Sequence, residues 1–325
     1  MRLLFWGTAA YSVVSLLVVL LFRPASNGAF DFIVTSVPGQ IAIATAYMVW
    51  FPAVIAFSAL VVGREGFAER FAKALGALVI CSFFYVFFLL FKTSMPSILT
   101  FHADPFFAEL DKLLHFGFDP AALTYALTPN LPTAVADVLY LNFWVGPALY
   151  FPVLLFLFDA DSQRTTRFLK IYLFAWAALG SVVALLALSV GPVFYDALYG
   201  GSRFGFLADH LKSAGFTDGR MGGIQAYLWQ SYIRGENGIG AGISAFPSVH
   251  IALVTTWALY LYERAKWLWP IGLALVAFYT YLTVHIGFHY AIDGYASTLA
   301  IWAFWYFLKT RDEKRVASGT FNVAQ

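Results

Sequence analysis

From position 3 to position 22 the chain runs through twenty residues without one charged side chain. A hydrocarbon layer about 30 Å thick is crossed by about 20 mainly apolar helical residues, because a helix satisfies its own backbone polar groups where no water can. Similar runs return at 40–62, 72–91, 134–158, 168–190, 246–262, 267–284 and 289–308. The pattern predicts an all-α, polytopic transmembrane bundle of about eight spans. Composition agrees: 61% of the 325 residues are hydrophobic and 12% are charged, where soluble domains carry about 25% charged residues.

The first run is longer than the apolar core of a signal peptide, about 7–15 residues, and no small-x-small cleavage site follows it, so it reads as a retained span. With no internal repeat and no low-complexity linker, 1–308 reads as one transmembrane domain and 309–325 as a short polar tail. A net charge of +2 without any Lys/Arg run excludes a nucleic-acid footprint. The single cysteine, Cys81, lies in an apolar run, cannot form an intrachain disulfide and reads as a core thiol.

Most Lys and Arg residues fall on one side of the predicted spans, in groups such as Arg64, Arg70 and Lys73, Arg164, Arg167 and Lys170, and Lys309, Arg311, Lys314 and Arg315. Basic residues mark the cytoplasmic side, which places both termini inside. The ends carrying Ser248, His250, His285, His289 and Asp293 then share the outer face. That face is the periplasm if the host is a bacterium, or a lumen in a eukaryote. No retention signal stands at 321–325, which points to a bacterial inner membrane.

Two outer segments are long enough to fold. In 92–132, Asp104-Pro105 and Asp119-Pro120 each read as an N-cap followed by proline at the first helical position. After the first, Phe106, Phe107, Leu110, Leu113 and Leu114 share one helical face, with Glu109, Asp111 and Lys112 on the other. Such a helix lies on the membrane surface or packs over the bundle. The second segment, 191–245, contains Gly238, Gly240 and Gly242 at alternate positions but lacks the Gly-Lys-Ser/Thr ending of a phosphate-binding P-loop, so it reads as a loop.

The chemistry concentrates in SAFPSVH (244–250) and LTVHIGFHYAIDG (282–294). His285, His289 and Asp293 recur every four residues, a spacing that turns all three to one side of a helix. Ionisable groups at membrane depth cost roughly 2.5–3.5 kcal/mol each on insertion scales, so they mark function by default. A zinc site would use the same residue types, but a helical zinc protease needs His-Glu-x-x-His, and here Ile286, Gly287 and Phe288 separate the histidines. No metal and no cofactor is expected.

Pro247-Ser248-Val249-His250 and His289-Tyr290-Ala291-Ile292-Asp293 resemble the second and third motifs of the type 2 phosphatidic acid phosphatase superfamily, membrane enzymes of lipid phosphate chemistry. FKTSMP (91–96), DPFFAELDKLLHFGFDP (104–120), GPVFYD (191–196) and AFPSVH (245–250) resemble its inositol phosphorylceramide synthase branch. The resemblance covers about 90–305. It implies that His289 is a nucleophile forming a phosphohistidine, that Asp293 orients it, that His250 is the general acid and base, and that Ser248 hydrogen-bonds the phosphate. Covalent catalysis by an oriented imidazole, with a second imidazole moving the proton, is sound chemistry on its own terms.

The sequence departs from the superfamily pattern twice. Leu282 and Thr283 stand where the phosphatase form has Ser-Arg, and the first motif's Arg-Pro is replaced by Lys92 and Pro96 in KTSMP. A phosphoryl centre still needs cations around its equatorial oxygens. Lys92 is the first candidate, with Arg203, Arg220 and Arg234 behind it and His285 as a partial substitute. The leading expectation is a lipid phosphotransferase moving a head group such as phosphoinositol onto a lipid hydroxyl such as that of ceramide, with membrane lipids as donor and acceptor. A phosphatase acting on phosphatidate, prenyl diphosphate or a sphingoid phosphate is the alternative. A transporter or lipid-binding scaffold is the non-enzyme reading, against which stands the lack of matching interrupted helices in two halves.

Overall fold

The computed structural model describes residues 1–23, 28–47 and 66–318. Among them the secondary structure is helical, with no strand. Among the described residues, five helices are long and apolar enough to cross a membrane: α1 (Arg2–Phe22), α3 (Phe67–Ile98), α6 (Thr133–Phe158), α7 (Ser162–Leu186) and Lys266–His285. The last consists of a short 3-10 turn followed by α12 (Trp269–His285). Between α1 and α3 lies α2 (Ala29–Tyr47). The span expected at 40–62 starts in the last turns of α2 and continues into 48–65, outside the described residues. The runs expected at 246–262 and 289–308 correspond to α11 (Val249–Arg264), of 16 residues, and α13 (Ala291–Ala317), whose first turns carry Asp293, Ser297 and Thr298.

α1 shows how this bundle packs. Its buried stripe is Leu4, Thr8, Tyr11, Ser15 and Val19, while Trp6, Leu17, Leu20 and Leu21 face outward. Hydrocarbon is as apolar as leucine, so small and hydrogen-bonding residues make the helix contacts and large apolar ones meet lipid. The Tyr11 hydroxyl lies 2.6 Å from Ser181 Oγ on α7, and Ser82 Oγ lies 3.1 Å from the Tyr150 hydroxyl, joining α3 to α6. α3, 32 residues long, extends about 48 Å at 1.5 Å per residue.

The two ends of the bundle differ. At one, Arg167 on α7 donates to Glu263 on α11 at 2.5 Å and to Asp312 on α13 at 2.9 Å. At the other gather five shorter helices: α4 (Asp104–Leu114), α5 (Pro120–Leu127), α8 (Pro192–Tyr199), α9 (Gly205–Ser213) and α10 (Arg220–Arg234). They cover the ends of α11, α12 and α13 that bear the histidines.

α4 packs on the bundle through its carboxylate side. Its buried residues are Asp104, Phe107, Ala108 and Asp111, whereas Phe106 is 65% exposed and Leu113 75%. The carboxylates thus face the protein and most of the apolar side faces out, which suits a helix lying in the lipid interface and packed on the bundle at once. The two Asp-Pro pairs, each expected as an N-cap followed by proline, differ in outcome. Asp104 is the first residue of α4 and spends its carboxylate on the amides of Val190 and Gly191 at 2.8–3.0 Å. Asp119 is the N-cap of α5 with Pro120 at its first position, as expected, although its carboxylate accepts from Arg203 rather than from a helix amide.

Candidate active site

α12 ends at His285, the chain turns through 286–290, and α13 begins at Ala291. Gly287 makes the turn with φ +76°, a conformation other residues rarely adopt. Three covering helices hold it. The Tyr125 hydroxyl donates to the His285 carbonyl at 3.0 Å, Gln225 Nε2 to the Ile286 carbonyl at 3.2 Å, and the Val193 amide to the Gly287 carbonyl at 2.9 Å. The expectation that His285, His289 and Asp293 share one helical face therefore gives way to a chain reversal. His289 and Asp293 stay together, and His285 ends on another side.

His289 Nδ1 lies 3.2 Å from Asp293 Oδ2, which also accepts the Tyr290 amide at 3.0 Å. Asp293 is fully buried. A carboxylate accepts from Nδ1–H and so leaves the lone pair on Nε2. The second imidazole comes from α11. Ser248 is the N-cap of that helix: its Oγ accepts the Ile251 amide at 3.4 Å, and its own amide donates to the Asp293 carbonyl at 3.3 Å. These bonds tie the start of α11 to the first turn of α13. The His250 ring then lies against Trp144 at 3.9 Å and Tyr140 at 4.6 Å between centroids, and 5.5 Å from the His289 ring.

Both imidazoles line a cavity of about 320 Å³, together with Lys92. Most of the remaining wall is aromatic or aliphatic, including Phe88, Trp176, Phe194 and Phe288. Two π-helical stretches, Asp137–Phe143 in α6 and Phe174–Val183 in α7, deliver Tyr140 and Trp176 to it. Such irregular turns are frequent at functional sites because they re-aim side chains. The glycine-rich stretch forms another wall, from Ile239 to Ala245. Gly242, at φ +94°, packs directly on Lys92, and a Cβ there would meet Lys92 Cγ at 3.0 Å. Asn237 anchors this loop by accepting from Thr93 Oγ1 at 2.7 Å and from Arg23, whose other nitrogen donates to the Gly235 carbonyl at 2.5 Å.

The structure thus brings His250, His289, Asp293 and Lys92 together, with Ser248 buried beside them as a helix cap. It does not bring the other predicted cations to this cavity. Arg203 is paired with Asp119 at 2.7 and 3.0 Å, and that carboxylate holds its guanidinium above the ordinary range. Arg220 donates to Asn142 Oδ1 at 3.2 Å, and Arg234 lies 4.0 Å from Glu236 on the surface. His285 is fully buried, edge-on to Tyr125 at 5.0 Å and to His210 at 5.5 Å.

Sequence reasoning missed Asp104 and Asp111 as parts of the site's frame. The Tyr290 hydroxyl donates to Asp104 Oδ1 at 3.1 Å, while Asp111 accepts the amides of Ala291 and Ile292 at 2.8 and 2.9 Å. Their seven-residue spacing, two helical turns, puts both on one face. That was the available signal.

An imidazole–carboxylate pair, a second imidazole and a lysine in one cavity of a helical membrane protein are groups suited to phosphoryl chemistry. A family model describing the PAP2 superfamily matches residues 105–307, and the chain belongs to that superfamily. No curated protein and no solved structure matches the chain.

Proposed function

We propose that this protein is a lipid phosphotransferase working through a phosphohistidine at His289. Nε2 of His289 attacks the phosphorus of the donor lipid; the P–O bond to the donor's lipid oxygen breaks, and His250 gives that oxygen its proton. An acceptor hydroxyl then loses its proton to His250 and attacks the same phosphorus, breaking the P–N bond and restoring both imidazoles. Asp293 holds the His289 tautomer throughout. Lys92 supplies the charge that the equatorial phosphoryl oxygens require.

The observation that carries transfer rather than hydrolysis is the cavity's lining. Beyond Lys92 and the two histidines it is mostly ring and aliphatic surface. Such a wall disfavours water and suits a second lipid bringing its own hydroxyl. The sequence resemblance of 91–96, 104–120, 191–196 and 245–250 supports phosphoinositol as the head group and a ceramide-like alcohol as acceptor. The Lys/Arg bias supports a site on the outer face, in the periplasm of a bacterial cell, with both termini cytoplasmic.

The test uses purified protein in mixed micelles containing phosphatidylinositol, ceramide and phosphatidate, with His289→Ala as the control. Mass spectrometry reads free phosphate and new phospholipid together. A head-grouped acceptor lipid with little free phosphate, lost in the control, is the expected result. Free phosphate from phosphatidate alone would make the protein a phosphatase, and turnover unaffected by His289→Ala would remove the covalent mechanism.

A further inference from the structure

α4 has two unlike faces. The inner one places Asp111 against the start of α13, where its two oxygens accept the amides of Ala291 and Ile292 at 2.8 and 2.9 Å. The first amides of any helix lack intrahelical partners, and a side chain just before the helix is the usual supplier. Here the residue before α13 is Tyr290, whose hydroxyl is engaged with Asp104 at 3.1 Å. The cap comes instead from a separate helix. Tyr290, Ala291 and Ile292 are all held by carboxylates of α4, and they are the residues that separate His289 from Asp293.

The outer face is apolar and open. Phe106, Leu113 and, just beyond the helix, Phe116 are 65%, 75% and 94% exposed. His115 Nε2 lies 3.0 Å from the Tyr295 hydroxyl. Tyr295 starts an exposed stripe on α13 that continues through Leu299, Trp302 and Tyr306, the spacing of a lipid-facing helix surface. The outer face of α4 is continuous with that stripe, so its occupant is the bilayer interface.

We propose that Asp111 is a positioning residue, through which α4, seated in the bilayer interface, sets the spacing between His289 and Asp293. The proposal rests on the reading of His289 as nucleophile. A carboxylate suits the task because it accepts two amides at once and complements the positive end of α13. Displacing α4 would shift the first turn of α13 and, with it, Nδ1 relative to Asp293. Misplacement of a catalytic group by about 1 Å costs on the order of 100-fold in rate.

Asp111→Ala and Asp111→Asn, made in the full chain in nanodiscs, test this. The substrates are phosphatidylinositol and a water-soluble p-nitrophenyl phosphodiester as donors, each with ceramide as acceptor. In Asp111→Ala, kcat should fall by roughly 30- to 100-fold on both substrates, with KM changed by less than about threefold. Asp111→Asn keeps one acceptor and should recover to within about 10-fold of wild type. Amide exchange at Ala291 and Ile292 should quicken by about 10-fold in Asp111→Ala, the size of a lost helix cap, and likewise when Leu113 and Phe116 are replaced by aspartate. A wild-type kcat in Asp111→Ala, or a loss that tracks only the amount of folded protein, would overturn the positioning role. Unchanged exchange in the outer-face variant would overturn the bilayer's part. If wild type and His289→Ala turned these donors over equally, the phosphohistidine reading would fall, while exchange at Ala291 and Ile292 would still decide whether α4 positions the turn.

Discussion

Oδ2 of Asp293 accepts from His289 Nδ1 at 3.2 Å and from the Tyr290 amide at 3.0 Å, so one carboxylate oxygen fixes both the ring and the backbone that carries it. Asn at 293 would keep the shape but could present an amide N–H to Nδ1, favouring the tautomer whose Nε2 is protonated. Where a buried carboxylate plays this part for a catalytic histidine, its amide replacement costs about 10⁴ in kcat. Asp293→Asn should therefore lose about 10³–10⁴ in kcat with a near-normal thermal midpoint. Single-turnover assays with a labelled donor check it, and activity within tenfold of wild type would show that Asp293 does not govern the tautomer.

Lys92 is the cavity's lysine, and Gly242 sits on its stem. Lys92→Met keeps most of the apolar length and removes the charge. Loss of one preorganised stabilising contact in a dry site costs about 10²–10³ in kcat, and that is the fall expected. Gly242→Ala should be milder in rate yet cost about 1–2 kcal/mol in stability, because φ is positive there and the new Cβ meets Lys92. Thermal denaturation alongside initial rates separates the two effects. A Lys92→Met enzyme with full activity would mean that the phosphate finds its cation elsewhere.

Some of this architecture can be read without coordinates. Mainly apolar runs of about twenty residues announce the membrane helices, and the pairing of His289 with Asp293 follows from their spacing of four. What spacing alone could not show is that Gly287 breaks the helix, which separates His285 from its two partners. Nor could apolar periodicity tell which side of α4 faces the protein. In a membrane environment the apolar side can be the outer one, so Asp104 and Asp111 turn inward because backbone amides of Val190, Gly191, Ala291 and Ile292 await them. The cations were legible as a set but not as individuals: Arg203 is consumed by Asp119, a pairing 84 residues distant in sequence.

His250 lies against Trp144 and Tyr140, whose rings are inclined to it by 26° and 13°, and Trp144 Nε1 donates to the His250 carbonyl at 3.2 Å. Trp144→Ala removes one flat wall and one hydrogen bond, freeing the ring to rotate away from the leaving oxygen. General acid–base catalysis contributes about 10²–10⁴-fold, so a partly misdirected ring should cost roughly tenfold. A leaving group that needs no proton should be affected much less. Comparing p-nitrophenyl and alkyl phosphate esters provides the check, and equal losses on both would argue against a proton-transfer role for His250.

At the far end, Arg167 bridges Glu263 and Asp312, and the Trp305 indole donates to Glu263 at 2.6 Å. Three helices meet at this node, well away from the histidines. Removing the arginine leaves two carboxylates with little solvent around them, and breaking a buried pair from one side costs about 3–5 kcal/mol. Arg167→Met should lower the thermal midpoint in detergent markedly while the folded fraction keeps its specific activity. Lost activity at full stability would connect this end to the chemistry and contradict the separation of roles.

The carboxylates of α4 give stability a pH dependence of definite sign. Burial pushes both Asp104 and Asp111 above the ordinary aspartate range, against the backbone amides that favour their charged forms. A carboxyl whose pKa is raised on folding binds its proton more tightly in the folded chain. Its contribution is therefore fully present below the unfolded value, about 3.9, and is lost as pH rises through the folded value. The thermal midpoint should accordingly fall across that interval in wild type, and less steeply in Asp104→Asn and Asp111→Asn, where nothing titrates. Scanning calorimetry in detergent from pH 4 upward measures the slopes. A wild-type midpoint that rises over the window, with the asparagine variants flattening that rise, would mean that the amides outweigh burial and that both carboxyls are held below their ordinary range.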